Sequence, residues 1–312
     1  MDLVYFKLAN SNFGDDLNLW LWDDVLPGWR DRAPGTHLMG AGTILNDRMA
    51  PEGPKLVLGS GWGYGGVPDI SGADWDIRAV RGPITAATLG LPAATAISDP
   101  AVLLPRLDRF AGIAPTGETL FVPHISSDAT CDWAAVCARA GLTYQSPSGE
   151  AEAIIRRIAG AERIVAESMH AAIIADAFGI PWQGVSLSAD FNARKWHDWS
   201  QSLGMADPQI HRFYRPLRLA QKLVRALPFR RGTASRSMAP KARDGGAAQH
   251  GTVFEMPRHR KAWLEPFAVR DLRASLGRPF LLTDRTALAR AQDRFAEMLD
   301  GVARDYALDA AS

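Results

Sequence analysis

Arg163 to Pro181, RIVAESMHAAIIADAFGIP, passes from a short apolar run straight into a helical pattern that stops at Gly179, just before Pro181. An apolar strand followed at once by a helix is the repeating unit of a parallel sheet, because parallel neighbours require a crossover connection. The same design extends outward in both directions. Val4 to Leu8, Lys55 to Leu58, Ile77 to Val80, Leu120 to Val122 and Trp182 to Leu187 are further strand-like runs ended by Gly, Pro or small polar residues, with helical patterns between them. The predicted fold is α/β, with two Rossmann-like doubly wound lobes whose strand carboxyl ends and following loops share one cleft.

The helix after the first strand carries Leu17, Trp20, Leu21 and Val25 on one side, with Asp15 or Asp16 placed to cap its start and Gly28 beyond its end. Another begins at Pro83, a residue suited to the first helical turn, and runs to Gly90. The turn-rich stretch Ala111 to Glu118 separates an N-terminal lobe, 1–114, from a second lobe, 115–229, with helices at Asp132 to Ala140, Glu150 to Ala159 and Ser168 to Phe178. Arg230 to Thr252 is rich in Gly, Ala, Ser and Arg, a composition that buries too little surface to order itself, so 230–252 is predicted to be a linker. In 253–312, Trp263 to Leu276 and Thr286 to Tyr306 are predicted helices that pack back on the lobes, the second through Leu288, Phe295, Leu299 and Val302.

With 312 residues and a net charge of +1, the chain has enough length for about two domains and no global field to attract nucleic acid. Met1 to Leu8 reads as a strand containing Asp2 and Lys7 rather than as a secretory signal, and no apolar run approaches the roughly 20 residues of a membrane span. A cytoplasmic protein is expected. Cys131 and Cys137 fit reduced, buried thiols rather than a metal pair or a disulfide framework. No G-x-S-x-G or H-E-x-x-H motif is present, which argues against serine hydrolase and zinc enzyme chemistry. Asp15, Asp16 and Asp99 are the acidic residues available to a cation, although Asp99 before Pro100 also reads as a helix cap; neither a resident metal nor a cofactor is expected.

Four loops carry candidate chemistry. His170 falls in the first turn of the helix that follows Arg163 to Ala166, where free N–H groups and the helix dipole favour an anion. Ser168 stands ready to cap that turn or contact a ligand. A histidine there either packs or serves as acid or base. Arg81, between a strand and a helix, either forms a surface ion pair or forks onto a carboxylate or phosphate. Asn10 to Asn18, NSNFGDDLN, offers Asn12, Asp15 and Asn18 to hydroxyls or phosphate, with Gly14 allowing close approach. Gly59 to Gly66, GSGWGYGG, contains Ser60 as a substrate contact but lacks the register and the lysine of a nucleotide loop; Trp62 and Tyr64 either stack on a sugar or pack the loop. His124, ending the strand from Thr119, and Lys195, in the loop after Leu187, point toward the same cleft, and a solvated surface charge also explains Lys195.

Taken in order, N-F-G-D-D-L-N at Asn12 to Asn18, G-A-G-T-I-L at Gly40 to Leu45, G-S-G-x-G-Y-G at Gly59 to Gly65, V-R-G-P-x-T at Val80 to Thr85, S-D-P-A at Ser98 to Ala101, F-V-P-H at Phe121 to His124 and E-S-M-H-A at Glu167 to Ala171 resemble the polysaccharide pyruvyltransferase family, particularly its exopolysaccharide ketal-forming members. The resemblance covers roughly the first two thirds of the chain. Many family members carry arginine and leucine where this chain has Ser168 and Met169, so an arginine contact would come from elsewhere, with Arg81 the first candidate. The resemblance implies a fold similar to two-lobed, GT-B-like glycosyltransferases. It also implies phosphoenolpyruvate as donor, a sugar or lipid-linked oligosaccharide as acceptor, and a cyclic ketal and phosphate as products. On that basis His170 is the acid that protonates the donor's methylene carbon, Arg81 and the helix start hold the donor's anionic groups, and His124 or Asp15 takes the acceptor's proton. The same architecture also suits a nucleotide-sugar-dependent glycosyltransferase or a non-catalytic carbohydrate-binding protein.

Between Arg212 and Phe229, Phe213, Leu217, Ala220, Val224 and Leu227 form an apolar helical stripe beside Arg215, Arg218, Lys222 and Arg225. Such a helix lies peripherally on an anionic inner-membrane face, or packs its apolar stripe on the protein with the arginines solvated.

Overall fold

The computed structural model describes residues 1–8, 10–187, 191–213 and 258–307. Two parallel sheets organise the chain. The first has the order β1 (Asp2–Val4), β2 (His37–Met39), β3 (Lys55–Leu58), β4 (Trp75–Ala79), and the second runs β6 (Thr143–Tyr144), β5 (Thr119–Val122), β7 (Arg163–Ala166), β8 (Trp182–Ser186), β9 (His211–Arg212). Every paired neighbour is parallel, from Val4 opposite Met39 in one sheet to Val122 opposite Ala166 in the other. After a first polar residue, their central strands are continuous buried apolar runs, Leu56 to Leu58, Leu120 to Val122 and Ile164 to Ala166, the pattern of parallel strands covered on both faces. A mixed α/β architecture with two parallel sheets is therefore established, with β2, β6 and β9 added to the strands legible from sequence.

The helices are α1 (Phe13–Asp16), α2 (Asn18–Val25), α3 (Pro83–Thr88), α4 (Ile125–Asp128), α5 (Trp133–Ala140), α6 (Ala151–Ala159), α7 (Met169–Ala177), α8 (Ala193–Ser202), α9 (Arg258–Leu276) and α10 (Arg285–Asp305). Asp132, Glu150 and Asp284 cap α5, α6 and α10 by accepting backbone N–H bonds, each satisfying a donor that the first helical turn leaves free.

The start of α1 differs from expectation. Asn12, not Asp15 or Asp16, occupies the N-cap position, and the N–H groups of both aspartates bond to the Asn12 carbonyl. The Asp15 carboxyl, no longer needed as a cap, is left for another use.

One apolar core joins Phe13, Leu17, Leu21 and Trp22 to Ile154, Ile158, Ile173 and Ile174. It also includes Leu288, Phe295, Leu299 and Val302 of α10, the face expected to be buried. Helix α9 packs Leu264, Ala268 and Leu272 beside Trp133, Val136 and Cys137 of α5. Asp176, fully buried in α7, accepts bonds from Trp182 Nε1 at 3.0 Å, the Thr283 N–H at 2.8 Å and Arg285 Nη2 at 3.1 Å, fastening the C-terminal segment to α7. The expected linker 230–252 and the basic stripe from 214 onward lie outside the described residues. Arg212, placed by expectation at the start of that helix, is in β9. Among the described residues no helix is long and apolar enough to cross a membrane.

Candidate functional site

Loops following the carboxyl ends of β1, β2, β3, β5, β7 and β8 line one cavity of 420 Å³. That is where doubly wound sheets place their ligand sites, since strand ends present loops and helix N-termini together. The cavity brings together Asn12, Asp15, His124, Ser168, His170 and Lys195. Arg81 and Ser60, which were expected among them, do not line it.

His170 lies in the first turn of α7, only 7% exposed. A side-chain carbon on Gly14 would sit 2.1 Å from His170 Nδ1 and 2.5 Å from its Cβ, so this glycine exists to let the imidazole lie flush on the α1 backbone. Ser168 occupies the N-cap position of α7, but its hydroxyl makes no cap bond and its side chain lines the cavity. Glu167 does different work. Its two oxygens accept the His124 N–H at 3.1 Å and the Leu187 N–H at 2.8 Å, which binds the ends of β5 and β8 to that of β7.

His124 caps α4, accepting the Ser126 N–H on Nδ1 at 3.2 Å. Burial, and secondarily the charge of Lys195, push its pKa down to about 3. The ring is neutral at ordinary pH, and because Nδ1 accepts, Nε2 carries the hydrogen. His124 is a hydrogen-bond donor through Nε2, which removes it as a base.

Asp15 accepts from Asn12 Nδ2 at 2.6 Å. Burial raises its pKa, while the charges of His170 and Lys195 and the Asn12 bond oppose that rise.

Lys195 lines the cavity, as expected, but from a helix rather than a loop, and its charge is not a solvated surface one. It stands in the first turn of α8, 9% exposed, with Nζ 5.5 Å from the centre of the Tyr64 ring. Asn192 holds the start of α8 by accepting the Arg194 N–H, and it donates to the Gly63 carbonyl at 2.6 Å, joining α8 to the glycine-rich loop. Its position ahead of a helix was a readable cap signal. Thr43 and Asn46 of the loop after β2 complete the polar wall; Thr43 lies in the G-A-G-T-I-L run and Asn46 directly after it, with no other local signal for either.

Arg81 needs the opposite correction. It is fully buried, with Nε 3.1 Å from Asp198 Oδ2, Nη1 donating to Thr43 Oγ1 at 2.7 Å and Nη2 to the Trp62 carbonyl at 3.1 Å. Asp198, in α8, also accepts the Thr85 N–H at 2.8 Å and the Thr85 hydroxyl at 2.6 Å. The guanidinium is consumed in joining the start of α3 to α8. Gly61 is part of that arrangement, because a side-chain carbon there would lie 2.2 Å from Arg81 Cζ. The glycine density of that loop accommodates an arginine rather than a phosphate. Ser60, fully buried, donates to the Gly40 carbonyl within the wall.

Asp99, read from sequence as a cap, does accept the Ala101 N–H at 3.0 Å ahead of the 3₁₀ segment Pro100–Arg106. Its other oxygen lies 3.7 Å from His170 Nε2. Among the described residues no group of three or more His, Cys, Asp or Glu is arranged to hold a metal ion.

The family model described as polysaccharide pyruvyl transferase matches residues 70–188, a span that contains Arg81, Asp99, His124 and Glu167 to His170. The succinoglycan biosynthesis protein ExoV of Rhizobium meliloti (strain 1021) is 42% identical over 324 aligned positions, covering 98% of this chain and all of the relative. Near-complete coverage at that identity carries the relationship through the C-terminal helices as well as the matched core, and the chain belongs to the polysaccharide pyruvyl transferase family.

Proposed function

We propose that this transferase moves the pyruvyl group of phosphoenolpyruvate onto two hydroxyls of one sugar in an exopolysaccharide or its lipid-linked precursor, forming a cyclic ketal and releasing phosphate. The observation that carries the reading is the convergence of His170, Asp15, His124, Lys195 and the N-terminus of α7 on one 420 Å³ cavity. A trianionic donor needs cationic and N–H groups, and the chemistry needs an acid beside its methylene carbon. We also read the two parallel sheets facing one cleft as the two-lobed, GT-B-like arrangement, divided near residue 114.

Lys195, the His124 Nε2–H and the free N–H groups of α7 hold the donor's phosphate and carboxylate. His170 protonates the methylene carbon, whose π electrons form the new C–H bond and leave oxocarbenium character at the neighbouring carbon. The first sugar hydroxyl adds there, and Asp15 accepts its proton. A carboxyl whose pKa is raised by burial is the stronger base for that step. Phosphate then departs and the second hydroxyl closes the ketal. Of the two hydroxyl protons, one replaces the proton given to carbon and the other leaves with phosphate, so the reaction balances without a redox partner. Tyr64, exposed at the cavity rim, supplies a stacking face for the acceptor sugar. A cytoplasmic location, with membrane contact through 212–229, rests on the sequence pattern alone.

The test is release of inorganic phosphate from phosphoenolpyruvate in the presence of sugar acceptors bearing a free hydroxyl pair, together with isolation of a pyruvylated sugar. Release of nucleoside diphosphate from sugar nucleotides, with no phosphate from phosphoenolpyruvate, would replace this reading with glycosyl transfer.

A further inference from the structure

His170 Nε2 and Asp99 Oδ2 are both buried, face each other at 3.7 Å, and have no other hydrogen-bond partner. Two buried polar atoms left without bonds are costly unless they serve one another. The gap slightly exceeds a hydrogen bond and lies within the reach of an ion pair. Asp99 cannot swing away, because its Oδ1 is held by the Ala101 N–H and its side chain is fully buried. Nor can His170, which is packed flush on Gly14.

We propose that Asp99 is a positioning residue for His170. It fixes the hydrogen of the imidazole on Nε2 and leaves Nδ1 as the nitrogen through which a proton reaches the cavity. A carboxylate accepts only, so the nitrogen opposite it must donate. The charged groups facing His170 are Asp99 from the segment ahead of Pro100–Arg106, Asp15 from α1, and Lys195 from α8 across the cavity. Of these, Asp99 is the one that meets a buried ring nitrogen. The bond therefore does two jobs from one side chain: one oxygen starts a helix and the other sets a tautomer.

The catalytic consequence rests on the pyruvyl-transfer reading, while the tautomer does not. Asp99→Asn separates the two jobs. The amide oxygen keeps the bond from Ala101, which turns the NH₂ group toward Nε2, and a donor there forces the neutral ring to carry its hydrogen on Nδ1. Long-range ¹H–¹⁵N correlation on ¹⁵N-histidine protein, with His170 assigned by its loss in His170→Gln, should show the Nε2–H form in the native enzyme and the Nδ1–H form in Asp99→Asn. Native enzyme with Nδ1–H, or one tautomer in both proteins, overturns the proposal whatever the enzyme's substrate.

In the kinetic arm, kcat for phosphate release should fall at least about a hundredfold in Asp99→Asn, with phosphoenolpyruvate affinity and thermal midpoint nearly unchanged. A kcat within about threefold of native defeats the positioning role. Native enzyme that releases no phosphate defeats the functional reading alone, and the spectra still decide this one. Should the amide variant not fold, Asp99→Ser retains a cap acceptor without the second oxygen and is expected to show a mixture of ring tautomers. An unmixed Nε2–H form in the serine variant would equally overturn the proposal.

Discussion

Val80-Arg81-Gly82-Pro83 and Ala166-Glu167-Ser168-Met169-His170 are both turns from a parallel strand into a helix, and each carries a residue able to meet an anion. Their fates diverge because of what lies opposite. Helix α8 runs across the first turn and brings Asp198 against Arg81 and Thr85, so the arginine becomes a buried fastening between α3 and α8. Nothing among the described residues closes over the second turn in that way. There Ser168 and His170 line the cavity, as does Glu167, whose carboxylate also holds strand ends. Local sequence sets which turn forms; the element packed on it decides whether its polar residue is structural or available.

The largest effect should come from the buried turn. Arg81→Met preserves bulk but leaves the Asp198 carboxylate without its cation, an expected loss of about 3–5 kcal/mol in denaturant unfolding. At a temperature where the variant is folded, its affinity for phosphoenolpyruvate should stay within about threefold of native. A tenfold loss of donor affinity with unchanged stability would return Arg81 to the site and erase the contrast.

The open turn should behave in the reverse manner. His170→Gln is expected to keep its unfolding midpoint and donor binding while losing turnover by at least about a hundredfold, equivalent to about 2.7 kcal/mol. Near-normal turnover removes His170 as the acid. Next in size, Lys195→Met should weaken phosphoenolpyruvate binding about tenfold to a hundredfold by calorimetric titration, the worth of one charge-assisted contact of about 1.5–3 kcal/mol. An unchanged affinity would mean that the cation meets the acceptor or merely stacks on Tyr64.

These contrasts mark what the sequence made legible. Strand cores such as Lys55–Leu58 and Arg163–Ala166, and the helix from Pro83, declared themselves through apolar runs and punctuation, which are local properties. His37–Met39 and His211–Arg212 did not, being too short to show a period of their own and dependent on pairing with β3 and β8. Among site residues, Asn12, Asp15, His124, Ser168 and His170 were found because each follows a recognisable strand. Arg81 was misplaced because burial of a charge depends on partners far along the chain, here Asp198, whereas Lys195 was placed rightly at the cavity and missed only as a helical residue. Asp99 was read correctly as a cap, yet its second oxygen acts across seventy-odd residues of sequence, beyond any local pattern.

A separate test concerns His124, the third helix-start residue at the cavity, and asks whether that ring is neutral as described. Its folded pKa of about 3 lies below the ordinary value of about 6.5. As pH falls through that interval the unfolded chain binds a proton that the folded protein refuses, so stability declines with acidification. The group's share of this loss begins below the unfolded value and is complete near the folded one. Carboxylates titrate in the same range, so the informative quantity is the difference between native protein and His124→Gln in unfolding free energy measured from pH 7 to pH 4. Native protein should lose more stability over that range, with a difference in slope approaching one proton. Equal slopes would show that the ring protonates in place. His124 would then be a cation beside Lys195 rather than a neutral donor, and the division of labour between the two histidines would have to be redrawn.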